Sequence, residues 1–146
     1  MKAVRLVGVT KGWAGVKAVS NLSLSMEKGE FITLLGPSGC GKTTTLRMIA
    51  GLEDPDDGDI YIDDRLVFSA AKGINVPPPQ RGLGMIFQSY ALWPHMTVFD
   101  NVAFGLVQLK VPRGQIRSRV MGCLEQVELA PLAQRFPSEL SGGQQQ

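Results

Sequence analysis

The sequence predicts an α/β fold, and three observations support this prediction. The first residues contain runs of part-alternating apolar side chains, which are typical of an antiparallel sheet. Later segments follow the order strand, loop and helix. Residues 31–35 (FITLL) are apolar on both faces, as expected of a central strand that helices cover. We therefore expect an antiparallel β part followed by strand–loop–helix units.

The first half of the chain is predicted to contain five strands and one helix. The strands are the apolar and β-branched runs between turn signals, at residues 3–9, 16–26, 31–35, 60–62 and 66–68. A glycine-rich turn through Gly12 and Gly15 joins the first two, and residues 63–64 form a hairpin turn between the last two. The helix is predicted over Lys42–Ala50, where good helix formers stop at Gly51.

The second half is predicted to contain one further strand and two helices. The strand covers residues 83–87, after a proline-rich loop. Thr97 and Asp100 have capping-box spacing, with Asp in place of the usual Glu, and they open a helix that extends to about Leu109. Pro112 begins the next helix, in which apolar residues recur every three or four positions.

Composition excludes several classes of protein. The chain has 146 residues, 44% hydrophobic and 19% charged, with a net charge of +2. This hydrophobic content is too high for a disordered chain, and the near-neutral charge argues against a nucleic-acid-binding domain. No apolar run is long enough to cross a membrane, and the N-terminus does not resemble a signal peptide. Two cysteines are too few for a disulfide framework, which favours a reducing compartment.

Residues 36–43 (GPSGCGKT) match the phosphate-loop pattern G-x-x-x-x-G-K-[ST], between a predicted buried strand and a helix. Glycines let successive N–H groups converge on an anion, and the helix N-terminus adds a partial positive charge. Lys42 supplies a full charge for the β- and γ-phosphates, and the Thr43 hydroxyl is a hard ligand for Mg²⁺. Cys40 inside the loop could indicate redox control, although a small side chain without a chemical role is the simpler interpretation. The sequence therefore predicts binding of a nucleoside triphosphate.

Two further segments decide the family. Gln88 follows the predicted strand 83–87, and residues 140–144 read L-S-G-G-Q. With the phosphate loop, these motifs resemble the ATP-binding subunit of an ABC transporter, from residue 4 to residue 146. Residues 84–92 (GMIFQSYAL) resemble its bacterial importer branch, the maltose, polyamine, sulfate and ferric-ion ATPases.

The resemblance implies a P-loop NTPase core with an N-terminal antiparallel β subdomain and a helical subdomain. The β subdomain and phosphate-loop core would cover residues 1–87, and the glutamine loop, helical subdomain and signature would cover 88–146. The implied cofactors are ATP and Mg²⁺, and the implied location is peripheral, at the cytoplasmic face of the inner membrane. The resemblance also implies that the chain is incomplete at its C-terminus, without Walker B, the switch histidine or any C-terminal regulatory domain.

The resemblance assigns roles to individual residues. The implied ATP-binding residues lie in three places along the chain. They are Trp13, Gly36, Ser38, Gly39, Cys40, Gly41, Lys42, Thr43, Thr44 and Gln88. Lys42 and Gln88 are the implied catalytic residues, and Thr43 and Gln88 the implied Mg²⁺ ligands. Trp13 would stack on the adenine, or else it only covers the first hairpin. Gln88 could instead be an ordinary polar residue at a strand end.

The remaining assignments concern partners. The signature residues would contact ATP held by a second ATPase subunit, and they are Ser141, Gly142, Gly143 and Gln144. Without the resemblance this stretch would be only a flexible turn. The apolar and aromatic segment Tyr90–Met96 would dock a transmembrane permease, with an external solute-binding protein as an indirect partner and no nucleic acid. Alternatively, Leu92 and Trp93 fold back into the helical lobe. His95 is predicted to be a loop contact residue rather than a catalytic base.

The family's Asp-Glu strand and switch histidine follow L-S-G-G-Q, and residues 1–146 contain neither. Three hypotheses result: part of an ATPase that energises import, a nucleotide-binding module without turnover, or an ABC ATPase not coupled to transport. We favour the first. On its own, this 146-residue polypeptide is expected to bind ATP without hydrolysing it. Because the strand at residues 31–35 would lack neighbours, the isolated polypeptide is also expected to be prone to aggregation.

Overall fold

A computed structural model describes residues 2–146 as two compact units, one ending at Met85 and the other covering Ile86–Gln146. The strands are β1 (Lys2–Trp13), β2 (Val16–Glu27), β3 (Asp57–Ile62), β4 (Arg65–Ser69) and β5 (Ile74–Asn75). The α-helices are α1 (Lys42–Ala50), α2 (Val98–Gln108), α3 (Arg113–Gln126) and α4 (Gly142–Gln145). Short 3-10 turns occupy Pro78–Gln80, Ala130–Leu132 and Pro137–Glu139. The predicted α/β class, with an antiparallel sheet first, is confirmed.

The first unit contains a five-stranded antiparallel sheet in the order β2-β1-β3-β4-β5. β1 and β2 form the first predicted hairpin, although β1 continues through Gly12 and the turn lies at Ala14 and Gly15 (φ 48° and 84°). Asp63 and Asp64 (φ 47° and 61°) form the turn between β3 and β4, as predicted. Positive φ at both central residues matches the right-handed twist of paired strands, so these turns set the register of each hairpin.

Helix α1 and the sheet share the hydrophobic core of this unit. Met48 and Ile49 of α1 are buried with apolar side chains of four strands, Val4, Leu6, Val9, Val19, Ile60, Ile62, Val67 and Phe68. The helix ends as predicted at Gly51, which has φ 79°. There Leu52 N–H donates to the Arg47 carbonyl at 2.9 Å, as glycine-terminated helices commonly do. The core therefore fixes the helix that follows the phosphate loop.

The two strands predicted at residues 31–35 and 83–87 do not form, and this part of the prediction is wrong. Both segments are irregular, and Phe31 (91%), Leu35 (88%) and Ile86 (99%) are largely exposed. A strand is stabilised by hydrogen bonds to a neighbouring strand. Within residues 2–146, neither segment has a paired neighbour in the sheet. Apolar composition alone therefore did not make them strands.

The second unit is helical, and its predicted helices are confirmed. Thr97 caps α2, accepting a hydrogen bond from Asp100 N–H at 3.1 Å. α3 begins after Pro112, as predicted. The core of the unit consists of Val98, Ala103, Val120, Leu124 and Ala133. Across residues 2–146, no helix combines the length and apolar character that crossing a membrane requires.

Candidate functional site

The phosphate loop, residues 36–43, is an exposed turn closed around its own lysine. The Lys42 ammonium donates to the carbonyl oxygens of Gly36 and Pro37, both at 2.7 Å, and lies 3.4 Å from the Cys40 sulfur. Cys40 N–H donates to the Pro37 carbonyl at 3.4 Å. Because Lys42 is the one charged residue of this stretch, the loop concentrates a single positive charge at its centre.

Two glycines of the loop sit where a side chain would not fit. A Cβ at Gly36 would lie 2.6 Å from the Cys40 sulfur. Gly41 has φ 90°, and its Cβ would meet the Ala18 carbonyl and lie 2.8 Å from Val19 Cγ2. Gly39 also has positive φ, 81°, but has open space around it. The close approach of Gly41 to β2 thus anchors the end of the loop. Gly39 is needed for its backbone conformation, since positive φ is easily adopted by glycine.

Helix α1 begins at the loop and leaves donors free for a ligand. Its first intrahelical bond runs from Thr45 N–H to the Gly41 carbonyl at 2.8 Å. Gly41 has no side chain to cap the N–H groups of the first helical residues, 42–44. The Thr43 side chain is exposed, whereas Thr45 is buried and donates its hydroxyl proton to the Gly41 carbonyl at 2.9 Å. The loop therefore combines N–H groups, an ammonium and a hydroxyl.

At the C-terminal end of α1, a buried arginine donates hydrogen bonds to the helix carbonyls. The sequence analysis did not predict this residue. Arg81, 4% exposed, donates to the carbonyls of Met48 (2.8 Å), Ile49 (3.1 Å) and Val76 (2.7 Å). Burial lowers the pKa of Arg81, and the Asp54 carboxylate opposes that shift. A cation at a helix C-terminus is stabilised by the helix dipole. Arg81 therefore holds α1 in place from its far end.

Trp13 is the last residue of β1, at the β1–β2 turn, and is 48% exposed. It pairs with Val16 of β2, and the phosphate loop packs against Ala18 and Val19 of the same strand through Gly41. Val16 and Ala18 are two residues apart, or about 7 Å along a strand. The structure thus brings the predicted adenine-binding tryptophan and the phosphate loop to the same end of β2.

The other predicted residues belong to the second unit. Gln88 has an exposed side chain. Ser141 caps α4: its hydroxyl accepts from Gln144 N–H at 3.3 Å, and the Gln144 side-chain oxygen accepts from Ser141 N–H at 3.0 Å. The S-G-G-Q sequence is thus a capping box in this structure, and Ser141 and Gln144 bond each other.

The segment Tyr90–Met96 is partly fixed and partly exposed. Asn101 of α2 fixes its main chain, accepting from Trp93 N–H at 2.8 Å and donating to the carbonyls of Trp93 and Met96, both at 3.1 Å. The Trp93 ring packs on Phe104, with centroids 5.6 Å apart, but stays half-exposed. A cavity of about 620 Å³ lies beside Tyr90 and reaches Gly143 of α4. Within this unit, the predicted docking segment and the signature therefore line one cavity.

Comparison with known proteins decides the family. The model of the family "ABC transporter" matches residues 19–146. The chain belongs to the ABC transporter family. Among its relatives is the trehalose/maltose import ATP-binding protein MalK of Thermococcus litoralis, 59% identical over 146 residues, which are all of this chain and 39% of that protein. The spermidine/putrescine import ATP-binding protein PotA of Vibrio vulnificus is 56% identical over 143 residues, 98% of this chain and 36% of that protein.

A solved structure of the same family confirms the fold. The ATP-binding cassette MJ0796, described as a dimer in a post-hydrolysis state bound to ADP and Pi, matches with a TM-score of 0.81 and 32% identity. The match covers 97% of this chain and 65% of that one. The predicted resemblance to ATP-binding subunits of importers is thus confirmed, and this ABC chain spans less than two-fifths of the length of the MalK and PotA relatives.

Proposed function

We propose that this ABC chain provides the ATP-binding part of an ATPase subunit that energises solute import. The observation that carries the proposal is the phosphate loop, in which the Lys42 ammonium lies against the loop backbone at the uncapped start of α1. The names of its relatives, import ATP-binding proteins for trehalose/maltose and for spermidine/putrescine, support the transport role.

The residues of the loop fit a triphosphate and its metal. A Cβ at Gly36 would collide with the Cys40 sulfur and a Cβ at Gly41 with β2, so glycine at these positions lets the backbone approach closely, as an anion-binding loop requires. Lys42 would shift from the Gly36 and Pro37 carbonyls to the phosphate oxygens, because an anion is a stronger acceptor than a carbonyl. Thr43 and, on the family resemblance, Gln88 would hold Mg²⁺, which when bound neutralises charge on the phosphates. Ser38, Gly39, Cys40 and Thr44 complete the proposed contacts.

The exposed ring of Trp13 is the proposed platform for the adenine. It pairs with Val16 of β2, two residues before the part of that strand that the phosphate loop approaches through Gly41, which supports a nucleotide that extends from the loop toward the ring. Stacking of a base on an aromatic side chain tolerates any base, so we expect it to add affinity more than selectivity.

The partners are proposed on the resemblance and on the exposed residues of the second unit. Ser141, Gly142, Gly143 and Gln144 would face ATP bound by a second ATPase subunit. Because Ser141 and Gln144 are engaged with each other, the glycine N–H groups are the donors this turn offers. Tyr90–Met96 would contact the permease, to which a solute-binding protein delivers solute. The assembly would lie peripherally at the cytoplasmic face of the inner membrane.

Hydrolysis is assigned to Lys42 and Gln88 together with groups that the family places after the signature.

The experiment that tests the proposal is ATP titration of Lys42→Ala. We expect the affinity to fall by at least about tenfold, because the variant loses the loop's one charge. Lys28→Ala is the matched control, since Lys28 forms a surface ion pair with Asp63 at 3.2 Å, away from the phosphate loop in the sequence. Thermal melting separates a lost phosphate contact from unfolding. Equal ATP affinity in wild type and Lys42→Ala would refute the proposal.

A further inference from the structure

Three charged residues from two separate segments meet beside Trp13. The Lys11 ammonium on β1 lies 3.1 Å from a Glu53 carboxylate oxygen and 3.2 Å from an Asp56 oxygen. Both acids belong to the connection between α1 and β3. Exposed ion pairs usually contribute little to stability, but the Lys11 side chain is only 12% exposed and has two partners. This small network therefore restricts where the ammonium can lie.

The same connection is hydrogen-bonded to the main chain of β1. The second Asp56 oxygen accepts from Gly12 N–H at 2.8 Å, and Asp56 N–H donates to the Thr10 carbonyl at 2.8 Å. These bonds lie on both sides of Lys11 and end one residue before Trp13. The hydrogen bond from Gly12, followed by that from Lys11, lowers the pKa of Asp56, so this carboxylate stays ionised to a lower pH than an ordinary aspartate.

One face of the Trp13 ring is already occupied. The Lys11 ammonium lies over that ring, 5.3 Å from its centroid, a distance at which a cation is attracted to an aromatic face. About half of the Trp13 surface is exposed to solvent, which leaves the ring accessible to a ligand. A tryptophan at the end of a hairpin would otherwise sample several rotamers, and a ligand that stacks on it would have to order it first.

We propose that Lys11, held by Glu53 and Asp56, is a positioning group that orients Trp13 so that a nucleobase stacks on the ring face opposite the ammonium. This inference rests on the proposed function, because it takes Trp13 as the base-stacking residue. Lys11 and Asp56 do not contact the nucleotide in this arrangement. Their effect passes through the tryptophan, and it should be seen only with ligands that carry a base.

The experiment compares Lys11→Met and Asp56→Asn with wild type, using ATP and inorganic tripolyphosphate as the two probes. We expect the affinity for ATP to fall about fivefold in both variants, toward the lower end of what base stacking contributes. The affinity for tripolyphosphate should not change, since the phosphate loop is untouched. Lys28→Met is the matched control, because it breaks an ion pair of the same sheet that is remote from Trp13.

A Trp93→Phe background makes Trp13 the only tryptophan, so that quenching by acrylamide reports its ring. The ring should become easier to quench in Lys11→Met and stay unchanged in Lys28→Met. Equal losses of ATP and tripolyphosphate affinity, or no loss of either, would overturn the positioning role while leaving the proposed function intact. If wild type binds neither probe, the proposed function fails and this inference fails with it.

Discussion

Two helices of this ABC chain begin at glycine-rich turns, and the backbone N–H groups of their first turns differ in whether side chains cap them. α1 follows Gly41, which offers no side chain, and a lysine lies at the loop's centre. α4 follows Ser141, which exchanges two hydrogen bonds with Gln144. The start of α1 has no side-chain cap, whereas the start of α4 pairs the Ser141 and Gln144 N–H groups with its own side chains.

The difference shows that glycine content alone does not identify an anion site. Helix N-termini attract anions because their N–H groups lack partners. In α1 those groups stand beside a positive charge, while in α4 a neutral serine and glutamine bond each other. The start of α1 therefore presents uncapped N–H groups beside a charge, whereas the α4 turn, in which Ser141 and Gln144 bond each other, presents its glycine N–H groups.

The largest expected effect concerns the C-terminal end of α1, where a side chain donates hydrogen bonds to the last carbonyls of the helix. Arg81→Met should lower the free energy of unfolding by about 3 kcal/mol, because it leaves three carbonyls without their buried donor. Arg65→Met is the control, since Arg65 makes a single 3.3 Å bond to the Gln80 carbonyl. Urea denaturation of the two variants measures the difference. Similar losses in both would mean that α1 does not depend on these hydrogen bonds.

Gly41→Ala should destabilise the protein by about 2 kcal/mol and weaken ATP binding, because its Cβ meets β2 in a left-handed conformation. Gly39→Ala shares the positive φ but has open space, so it should cost about 1 kcal/mol. Melting temperatures and ATP titration of the two variants separate the effect of the Cβ contact with β2, present only in Gly41→Ala, from the effect of positive φ, present in both. Indistinguishable variants would show that the contact with Ala18 and Val19 is unimportant.

Ser141→Ala tests the capped helix and should cost about 1 kcal/mol locally. Amide hydrogen exchange at Gln144 should accelerate, whereas tripolyphosphate binding at the phosphate loop should not change. Ser138→Ala, an exposed serine in the turn before α4, is the matched control. Unaltered exchange at Gln144 would argue that α4 does not need its capping box.

The smallest effect is a dependence on pH. Because hydrogen bonds from Gly12 and Lys11 lower the pKa of Asp56, its contribution is complete above the ordinary value of 3.8 and is lost as the pH falls through the lowered value. Burial lowers the pKa of Lys11, but its bonds to Glu53 and Asp56 outweigh this and raise it. Its contribution is thus lost only as the pH rises above 10.5.

Between these limits the stability difference between wild type and Asp56→Asn should be constant, and melting across a pH series measures it. The capping box of α4 contains no titratable group, so protection of the Gln144 amide should not follow the same acid transition. A difference that varies near neutral pH would contradict the assignment.

Local rules predicted much of this structure from the sequence. The phosphate loop, the turn at Asp63 and Asp64, the end of α1 at Gly51 and the Thr97 cap each depend on a few adjacent residues. The strands at residues 31–35 and 83–87 were predicted wrongly, because a strand depends on a neighbour that apolar composition does not supply.

The groups that support the site were missed for a related reason. Arg81 reaches the Met48 carbonyl 33 residues away, and Lys11 reaches Asp56 45 residues away. Arg81 stands between a proline run and Gly82, a sequence typical of a solvated loop. No hydrophobic periodicity marks contacts between residues so far apart in the chain. Asn101, which fixes the main chain of residues 93–97, could have been found from the sequence. It is an amide in the first turn of a predicted helix, four residues after the capping Thr97, and can therefore reach the backbone before the helix.

The exposed side chains of Phe31, Leu35 and Ile86 have a consequence for the life of the nascent chain. All three residues leave the ribosome before the signature has been synthesised. While exposed, they offer chaperones the kind of apolar stretch that holdases bind, and they offer neighbouring chains a site for association. Cellular yield of the protein should therefore depend on this exposed apolar surface, in addition to the stability of the folded units.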